Sequence, residues 1–471
     1  MKNTKLLLAL SVIFAGAAAF ANNREYFSVD RYDSRTHMPR AIAKDYSDGY
    51  YREYDIHEMD AERWFDGPYA TGHWFDVRNF LEDVGIVPNL SYMGNFAANP
   101  VGGMRRGVAV SSSFNLGYGI DLEKITGSGA LSGWSFNNTW VWRFGDSLTQ
   151  KYVDNQFNAQ QNFGSQTIML QSLYLSWSGK VFDDANLMVK FGRIAAADNF
   201  LTKPIYWLYQ NNAIDGTPVG VFNQTRFSAY PGSTWGAMMQ LDKGGYYGKL
   251  GVYQINSAQQ DDPSEHGFDW SFTKADGVNA NVELGWNINH DDSGKSPGNI
   301  SVGAVLNWYS APHLDDPNVN SHFNPSFYIQ ADYMIWNMGF PSRSDPRTIR
   351  RSSAEDVYRD LRGLVLWGVF QYAPYDELAK MPYFVNGGLL FNAPFESRPD
   401  DVLVFGVAYG KYSNKLTTPE RNSYEMMLEL NYKVQVNRFF FVQPGVQYII
   451  NTKGGQHPNA LILGCQFGMA F

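Results

Sequence analysis

The segment SYEMMLELNYKVQV (residues 423–436) alternates apolar and polar side chains over almost its whole length. Successive side chains of a β-strand point to opposite faces, so this period of two predicts a strand with one apolar and one polar face. The polar face carries Glu425, Glu429 and Lys433, and Met427 is the lone exception. The segment is longer than an ordinary strand of about 5–6 residues and long enough for the roughly 9–11 residues of a tilted membrane strand.

The same period of two recurs along the chain, from residues 106–122 to residues 461–471. The polar faces consist mostly of Gly, Ser, Asn and Gln, a set too small and too neutral for an ordinary solvent-facing sheet. A soluble antiparallel sandwich would also alternate. A membrane barrel, however, requires apolar side chains outside and polar ones inside, because lipid offers unpaired backbone groups no partner. The sequence therefore predicts an all-β fold, a transmembrane antiparallel β-barrel of about sixteen strands. The predicted strands are 84–96, 106–122, 130–144, 166–178, 185–194, 234–242, 246–256, 278–289, 299–309, 326–337, 361–373, 383–392, 401–411, 423–436, 439–451 and 461–471.

Three of these strands, 246–256, 361–373 and 383–392, alternate poorly. An even strand number places both chain ends on the periplasmic side, so connectors should alternate between long exterior loops and short periplasmic turns. Residues 338–360 break this rule, since they form a long, basic connector where a short turn is expected. We interpret them as an insertion.

The longest connector, residues 195–233, is rich in aromatic and aliphatic side chains. Structureless loops of this length are uncommon and usually functional. Because display of these side chains to water is costly, we predict a loop that folds inward into the barrel. The alternatives are a loop that caps the barrel or one that packs against a neighbouring subunit.

The first 21 residues predict a cleaved signal peptide, since a basic start precedes an apolar run and the small-x-small site Ala19-Phe20-Ala21. We expect an exported chain with a polar N-terminal segment at 22–83 and the barrel at 84–471. Within the polar segment, residues 50–65 could form a polar helix, and WFDVRNFLEDVGI (residues 74–86) predicts a short helix before the first strand.

Composition excludes several classes of protein. No run of 18 apolar residues follows the predicted signal peptide, which argues against a transmembrane helix. The single cysteine, Cys465, excludes an internal disulfide. A net charge of −8 argues against a nucleic-acid partner, which normally needs a concentrated basic face.

The sequence predicts no enzyme. Residues 294–298 match the nucleophile-elbow pattern by letter, but they lie in a predicted turn with Pro after the Ser and no helix to follow. The eight histidines are scattered without metal-ligand spacing. We therefore expect no catalytic residue, no metal and no cofactor.

A channel for sugars needs hydrogen-bonding groups and aromatic rings along its narrow part, with binding weak enough for release. Each candidate below could instead be a solvated side chain that only balances charge across the lumen. The candidates that strand alternation (inward parity) places on the inner face are Arg105, Arg143, Lys190, Glu283, Asp332, Glu425, Glu429 and Lys433. The candidates in the long connector are Asp198, Asn199, Trp207, Tyr209, Asn211 and Asn212. Lipid contact is expected for the outward aromatics Trp134, Trp140, Trp142, Trp286, Trp308 and Tyr448.

Five stretches, in order along the chain, resemble the carbohydrate-selective porins of the OprB type. The first, HWFDVRNFLEDVGI (residues 73–86), carries Trp74, Arg78, Leu81 and Gly85 at the family's spacing, although Phe75-Asp76 stands where the family often has small residues. The others are DLEKITGSGALSGWSF (121–136), LYLSWSGKVFDDANLMVKFGRIAAADNF (173–200), FNAPFESRPDDVLVFGVAYGKYS (391–413) and YEMMLELNYKVQVNRFFFVQPGVQYIINTKGG (424–455). The resemblance covers about 74–471, and residues 22–73 and 338–360 fall outside it.

The resemblance implies an outer-membrane barrel of a Gram-negative-type bacterium that passes monosaccharides or small oligosaccharides by diffusion, without a cofactor. Arg193 and Asp198 match family positions, although strand parity points Arg193 outward unless the register slips near the strand end. The expected partners are membrane lipid, small sugars and, through Phe471, the barrel-assembly machinery, and a homo-oligomer is compatible with the pattern. Three alternatives stay open: a general or ion-selective porin, an exported soluble β-rich glycan-binding protein or hydrolase, and a structural or adhesive outer-membrane barrel.

Overall fold

Sixteen antiparallel strands form a closed barrel in the computed structural model. The structure describes residues 32–33, 38–39, 65, 67, 69–164, 166–182, 185–256, 266–268, 277–290, 295–339, 358 and 361–471. The first eight barrel strands are β1 (Ile86–Val101), β2 (Gly107–Asp121), β3 (Trp134–Gly145), β4 (Ile168–Val181), β5 (Ala185–Ile194), β6 (Thr234–Lys243), β7 (Tyr246–Ile255) and β8 (Gly277–Ile288). The other eight are β9 (Gly298–Tyr309), β10 (Asn324–Asn337), β11 (Gly363–Tyr372), β12 (Tyr383–Asn392), β13 (Val402–Lys411), β14 (Tyr424–Gln435), β15 (Phe440–Ile450) and β16 (Ala460–Ala470).

Each strand pairs with the next along the chain, and β16 pairs with β1 to close the sheet. At this closure Gln466 lies opposite Asn95, and Phe467 lies opposite Gly94. The prediction of a sixteen-stranded barrel is confirmed, including the three poorly alternating strands, which are β7, β11 and β12. Because the sheet has no free edge, every strand finds a backbone partner within the membrane.

The two faces of the barrel differ as the alternation predicts. On β14, Leu430 is 45% exposed whereas its neighbour Glu429 is 1% exposed. The outward aromatics Trp286 and Trp308 are likewise partly exposed, and the polar side chains Asn281 and Asn307 on the opposite face are buried. The apolar face therefore forms the outer wall of the barrel, and the polar face forms its inner wall.

Connector length varies widely along the barrel. A two-residue turn, Gly244–Gly245, joins β6 to β7, and both glycines adopt a positive φ that other residues rarely tolerate. By contrast, residues 195–233 join β5 to β6, as predicted. Most of the basic insertion at 338–360 lies outside the described residues.

The described helical segments are short. They are the helices α1 (Val77–Asp83), α2 (Leu122–Thr126) and α3 (Gly220–Gln224), the 3-10 turns Gly129–Leu131, Ala196–Asp198 and Pro204–Leu208, the π-helical turn Thr149–Val153, and a kinked turn at Thr452–Gly455. Two-residue ladders pair Tyr32–Asp33 with Met38–Pro39 and Ala311–Pro312 with Asn320–Ser321.

Within the described part of the chain, no helix combines the length and the apolar character needed to cross a membrane. The predicted signal peptide and all but the last residue of the predicted polar helix at 50–65 lie outside the described residues.

Candidate functional site

The long connector 195–233 contacts the inner wall through two segments of different chemistry. We call residues 196–203 the ionic segment, because Lys and carboxylate side chains of the wall surround it. We call residues 205–213 the anchored segment, because it is held mainly by uncharged hydrogen bonds. The ionic segment begins in the 3-10 turn Ala196–Asp198, and most of the anchored segment follows the turn Pro204–Leu208.

Asn199 is the meeting point of the ionic segment. Its side-chain oxygen accepts a hydrogen bond from Lys190 Nζ of β5 at 3.3 Å, and its carbonyl accepts one from Lys249 Nζ of β7 at 3.1 Å. Lys249 also pairs with the Glu283 carboxylate of β8 at 3.1 Å. The other Glu283 oxygen accepts the Leu201 amide at 3.2 Å. Three strands are thus tied to one short stretch of the connector.

Two further contacts complete the ionic segment. Lys203 Nζ lies 2.7 Å from an Asp332 carboxylate oxygen and donates to the Asn299 side chain, also at 2.7 Å. Gln171 of β4 donates to the Asp198 carboxylate at 2.9 Å. Asp198 stays partly exposed.

The anchored segment is buried against β10, β13 and β14 of the inner wall. Tyr206 donates its hydroxyl to Gln330 at 2.9 Å, and the Tyr209 hydroxyl donates to the Phe405 carbonyl at 3.1 Å. The Glu429 carboxylate accepts the backbone amides of Gln210 at 2.6 Å and Asn211 at 3.2 Å. Since all four connector side chains are at most 1% exposed, this segment is a fixed part of the wall.

A second connector, residues 146–167, supports the anchored segment. Its Asn158 carbonyl accepts the Asn212 amide at 3.0 Å, and its Gln161 amide donates to the Gln210 carbonyl at 2.8 Å. The Glu425 carboxylate in turn accepts the amides of Gln156 and Phe157. The two connectors therefore hold each other through main-chain hydrogen bonds.

Basic side chains of the inner wall lie beside aromatic rings. The Arg143 guanidinium lies 5.3 Å from the Tyr230 ring centre, and Lys190 Nζ lies 5.7 Å from the Tyr174 ring centre. Lys249 Nζ lies 5.2 Å from the Tyr247 ring centre. These three pairs, which we call the cation–aromatic wall, combine hydrogen-bond donors with flat apolar faces.

Burial changes the acid–base behaviour of the connector. It raises the pKa of the Asp215 carboxyl well above its ordinary value, and the negative charge of Glu429 raises it further. Burial likewise raises the pKa values of Tyr206 and Tyr209, so both phenols stay protonated at physiological pH. The connector therefore offers neutral donors where it meets the wall.

The predicted site residues separate into groups. Lys190, Asp198, Asn199 and Glu283 meet at the ionic segment, and Asp332 joins them through Lys203. Tyr209, Asn211 and Asn212 belong to the anchored segment, as does Trp207, which is 8% exposed. Glu425 and Glu429, at 0% and 1% exposed, give their oxygens to backbone amides.

Three predicted residues lie elsewhere. Arg105 was expected on the inward strand face, but it is exposed in the connector before β2, because β2 begins only at Gly107. Lys433 is 4% exposed over the Phe441 ring, near the periplasmic end of β14. The register leaves Arg193 on the face opposite Lys190, as parity predicts, and its buried guanidinium donates to the Ser233 carbonyl at 2.7 Å.

The sequence reasoning missed Lys249, Lys203 and Gln171. Lys249 was detectable, because Tyr247, Lys249 and Tyr253 share one face of β7 by simple alternation. Lys203 lies in a connector, where no alternation of apolar and polar residues shows which way its side chain points. Among the described residues, no group of three or more His, Cys, Asp or Glu side chains could hold a metal ion.

Comparison with known proteins gives consistent matches. The model of the family described as "Carbohydrate-selective porin, OprB family" matches residues 105–471. Porin B of Pseudomonas aeruginosa is 26% identical over 438 residues, covering 86% of this chain and 91% of that protein. The putative porin QuiX of Acinetobacter baylyi is 24% identical over 426 residues, covering 83% of this chain and 90% of that protein.

A solved structure shares the fold. The high-pH structure of Pseudomonas putida OprB superposes with a TM-score of 0.73 at 23% identity, covering 86% of this chain and 99% of that chain.

Proposed function

Because the chain belongs to the OprB family of carbohydrate-selective porins, we propose that sugars cross its barrel along the cation–aromatic wall. The family and the closed barrel make it a sugar-selective outer-membrane porin, a channel rather than an enzyme. The route through the lumen is our proposal. The long connector folds inward and narrows the lumen, and the permeant passes beside its ionic segment.

One observation carries this proposal: the ionic segment gathers Lys190, Lys249 and Glu283 at Asn199, while the anchored segment is buried against β10, β13 and β14. Four side chains of the anchored segment and Glu283 itself are at most 1% exposed and cannot line a passage, whereas Lys249, Asp198 and the tyrosines at 174, 230 and 247 are partly exposed. The remaining space for a permeant therefore borders the ionic segment.

The chemistry of this border suits a sugar. Tyrosine rings offer flat faces for the C–H face of a pyranose, while lysine and arginine donate hydrogen bonds to its hydroxyls. Asp198 supplies an acceptor for a sugar hydroxyl. Many weak contacts, rather than one strong site, allow entry and release without an energy source.

The test is influx into liposomes that contain the purified protein. We expect small sugars to enter faster than uncharged polyethylene glycols of matched mass, and influx to fall as the sugar grows from one unit to three. Conductance should also fall when a monosaccharide is added, and the matched glycol should have a smaller effect. Equal rates for sugars and glycols of the same size would refute a sugar-specific route.

The basic side chains of the cation–aromatic wall favour a second candidate, a general porin that prefers anions. Arg143, Lys190 and Lys249 place positive charge along one side of the lumen. This candidate predicts anion selectivity in a salt gradient without any effect of added sugar on conductance. The two measurements together separate the candidates.

Several further expectations rest on the family and the fold. We infer a Gram-negative host from the outer-membrane barrel. Recognition of Phe471 by the barrel-assembly machinery stays a prediction, as does assembly into a homo-oligomer.

A further inference from the structure

The segment that precedes β1 crosses the rim of the barrel from the inner to the outer wall. Tyr69 packs with Phe441 and Ala470, whose register places them on the inner wall at the periplasmic end. The Ala70 amide donates to the Ala470 carbonyl at 2.9 Å. A few residues later, Leu81 of α1 packs against Ile86 and Ile120.

Ile120 belongs to the outer wall. It shares one face of β2 with Val108 and Val110, which are 52% and 48% exposed, as lipid-facing side chains are. Tyr118 and Phe136, the other rings near Leu81, have the same outward parity in the β2–β3 register. Helix α1 therefore lies on the lipid-facing side of the wall.

Arg78 fixes this position. It is 0% exposed, and its guanidinium donates to the carbonyls of Pro88 and Phe471, on both sides of the β16–β1 closure. It also lies 3.6 Å from the Tyr69 ring centre and 4.2 Å from the Trp74 ring centre. The helix is thereby attached to the wall on one side only.

The free sides of α1 differ in polarity. Val77 is 49% exposed and Phe80 62% exposed, and Phe75, just before the helix, is 82% exposed. At about 100° per residue, Val77 and Phe80 lie on one flank of the helix, and Asn79 and Asp83 lie on the other. An apolar flank that continues an apolar wall is expected to meet the same solvent as the wall, which is lipid.

We propose that α1 is an interfacial anchor whose apolar flank, Phe75, Val77 and Phe80, inserts into the periplasmic leaflet of the outer membrane. The polar flank, with Asn79 and Asp83, faces the periplasm. Aromatic side chains at this depth extend the girdle of rings that membrane barrels carry at each interface. The occupant of the exposed surface is lipid, because the helix that carries it packs through Leu81 on the lipid-facing wall at Ile120, Tyr118 and Phe136.

Spin labels test the proposal in the full chain reconstituted into phospholipid bilayers. In a Cys465→Ser background, single labels are placed through Phe80→Cys and Phe75→Cys on the apolar flank. Asp83→Cys on the polar flank is the matched control, and Val282→Cys on the outer face of β8 reports lipid. Collision with molecular oxygen, which partitions into lipid, is compared with collision with a water-soluble nickel chelate.

We expect the oxygen-to-nickel accessibility ratio at Phe75→Cys and Phe80→Cys to shift toward the Val282→Cys value and away from the Asp83→Cys value. A ratio equal to that of Asp83→Cys would place the flank in water and overturn the proposal. Low accessibility to both reagents would mean that protein covers the flank, either residues before 65 or a second copy, and would also overturn it. Heat-dependent gel mobility verifies folding, and Val77→Cys on the same flank replaces any variant that fails to fold.

Discussion

The ionic and anchored segments of the long connector face the same barrel wall but are held to it differently. In the ionic segment, Lys190, Lys249 and Lys203 reach from wall and connector toward oxygen acceptors, and Glu283 and Asp332 balance two of them. In the anchored segment, the hydroxyls of Tyr206 and Tyr209 donate hydrogen bonds to the wall, and the Glu429 carboxylate of the wall accepts a backbone amide of the connector. In the proposed function, the first segment borders the space left for a permeant and the second closes off the rest.

This difference in contacts assigns different roles to two parts of the same loop. A constriction needs a rigid support, because a loop that moves by a few ångströms cannot discriminate between solutes. Fully buried hydrogen bonds supply that support at Tyr206, Tyr209 and Asn211. Lys249 and Asp198 stay partly exposed, so under the proposed function they contact permeants weakly. Variants in the two segments should therefore change different properties of the channel.

The largest effect on the channel is expected from Glu429→Ala, which removes the wall carboxylate that holds the anchored segment. The variant leaves the buried amides of Gln210 and Asn211 without their acceptor, at a cost of about 1–3 kcal/mol each. We expect the connector to detach from the wall, so that single-channel conductance rises and influx of larger sugars accelerates. Bilayer recordings and a liposome size series measure both.

Glu429→Gln is the matched control, because it keeps the side-chain shape and one acceptor oxygen while it removes the charge and the second acceptor. Its conductance should lie between the wild-type and Glu429→Ala values. If Glu429→Ala left conductance and the size limit unchanged, the anchored segment would not be the support that the contacts indicate.

A smaller effect, on charge selectivity, is expected from Lys249→Met, which changes the wall beside the ionic segment. The substitution keeps a long apolar side chain but removes the cation beside Glu283, which leaves a net negative charge at the border of the lumen. Loss of one partner of a buried pair costs roughly 3–5 kcal/mol. We expect the reversal potential in a salt gradient to shift toward cation selectivity.

Lys243→Met removes the same charge at the exposed end of β6 and is the control for Lys249→Met. It should leave the reversal potential near the wild-type value. Equal shifts in the two variants would show that overall charge, rather than the charge beside Glu283, sets selectivity.

The barrel was predictable because lipid imposes one simple rule on every strand. A side chain on β14 such as Leu430 must be apolar, and its neighbour Glu429 must find polar partners inside, so the sequence carries a period of two. Strands as regular as this one were predicted to within a residue or two. Even the weaker strand β7 was located, since its short turn Gly244–Gly245 is readable from the glycines.

The site was predictable only where strand parity applies. Lys190 and Glu283 lie at inward positions of regular strands, and the structure brings both to the ionic segment. Connector residues have no period, so nothing in the sequence pairs Lys203 with Asp332, more than a hundred residues away. For the same reason the inward alternation of the predicted strand 106–122 was wrongly extended to Arg105, which lies in the connector before the strand begins at Gly107.

A third prediction sharpens the distinction between the inner and outer walls at β3. Arg143 is 5% exposed, beside the Tyr230 ring and the Asn162 carbonyl, whereas the adjacent Trp142 is 49% exposed on the outer wall. We expect Arg143→Ala to change the sugar concentration that halves conductance by roughly 2–5-fold, the range of a single weak cation–ring contact. Trp142→Ala should leave that concentration unchanged, and equal effects would remove the inside and outside assignment of this strand.

The smallest effect concerns the connector 146–167, which supports the anchored segment from the exterior side. Asp154 accepts hydrogen bonds from Lys453 at 2.6 Å and from His457 at 3.0 Å, which join this connector to the one before β16. Burial alone would raise the pKa of Asp154, but these hydrogen bonds and the positive charges hold the pKa below its ordinary value. A carboxylate with a depressed folded-state pKa stabilises the contact above its unfolded pKa of about 3.9 and loses that stabilisation as the pH falls further.

We therefore expect hydrogen-exchange protection in residues 451–459, corrected for the intrinsic pH dependence of exchange, to stay constant from pH 7 to pH 5. Protection should fall only below about pH 4, as the pH drops from the unfolded pKa toward the depressed folded-state pKa of Asp154. Asp154→Asn should show the lower protection at every pH, because the amide cannot restore the charge. The change should be small, since exposed ion pairs are worth about 0–1 kcal/mol. A loss of protection already between pH 7 and pH 5 would mean that a group other than Asp154 controls this contact, and the exterior support of the anchored segment would then need a different physical origin.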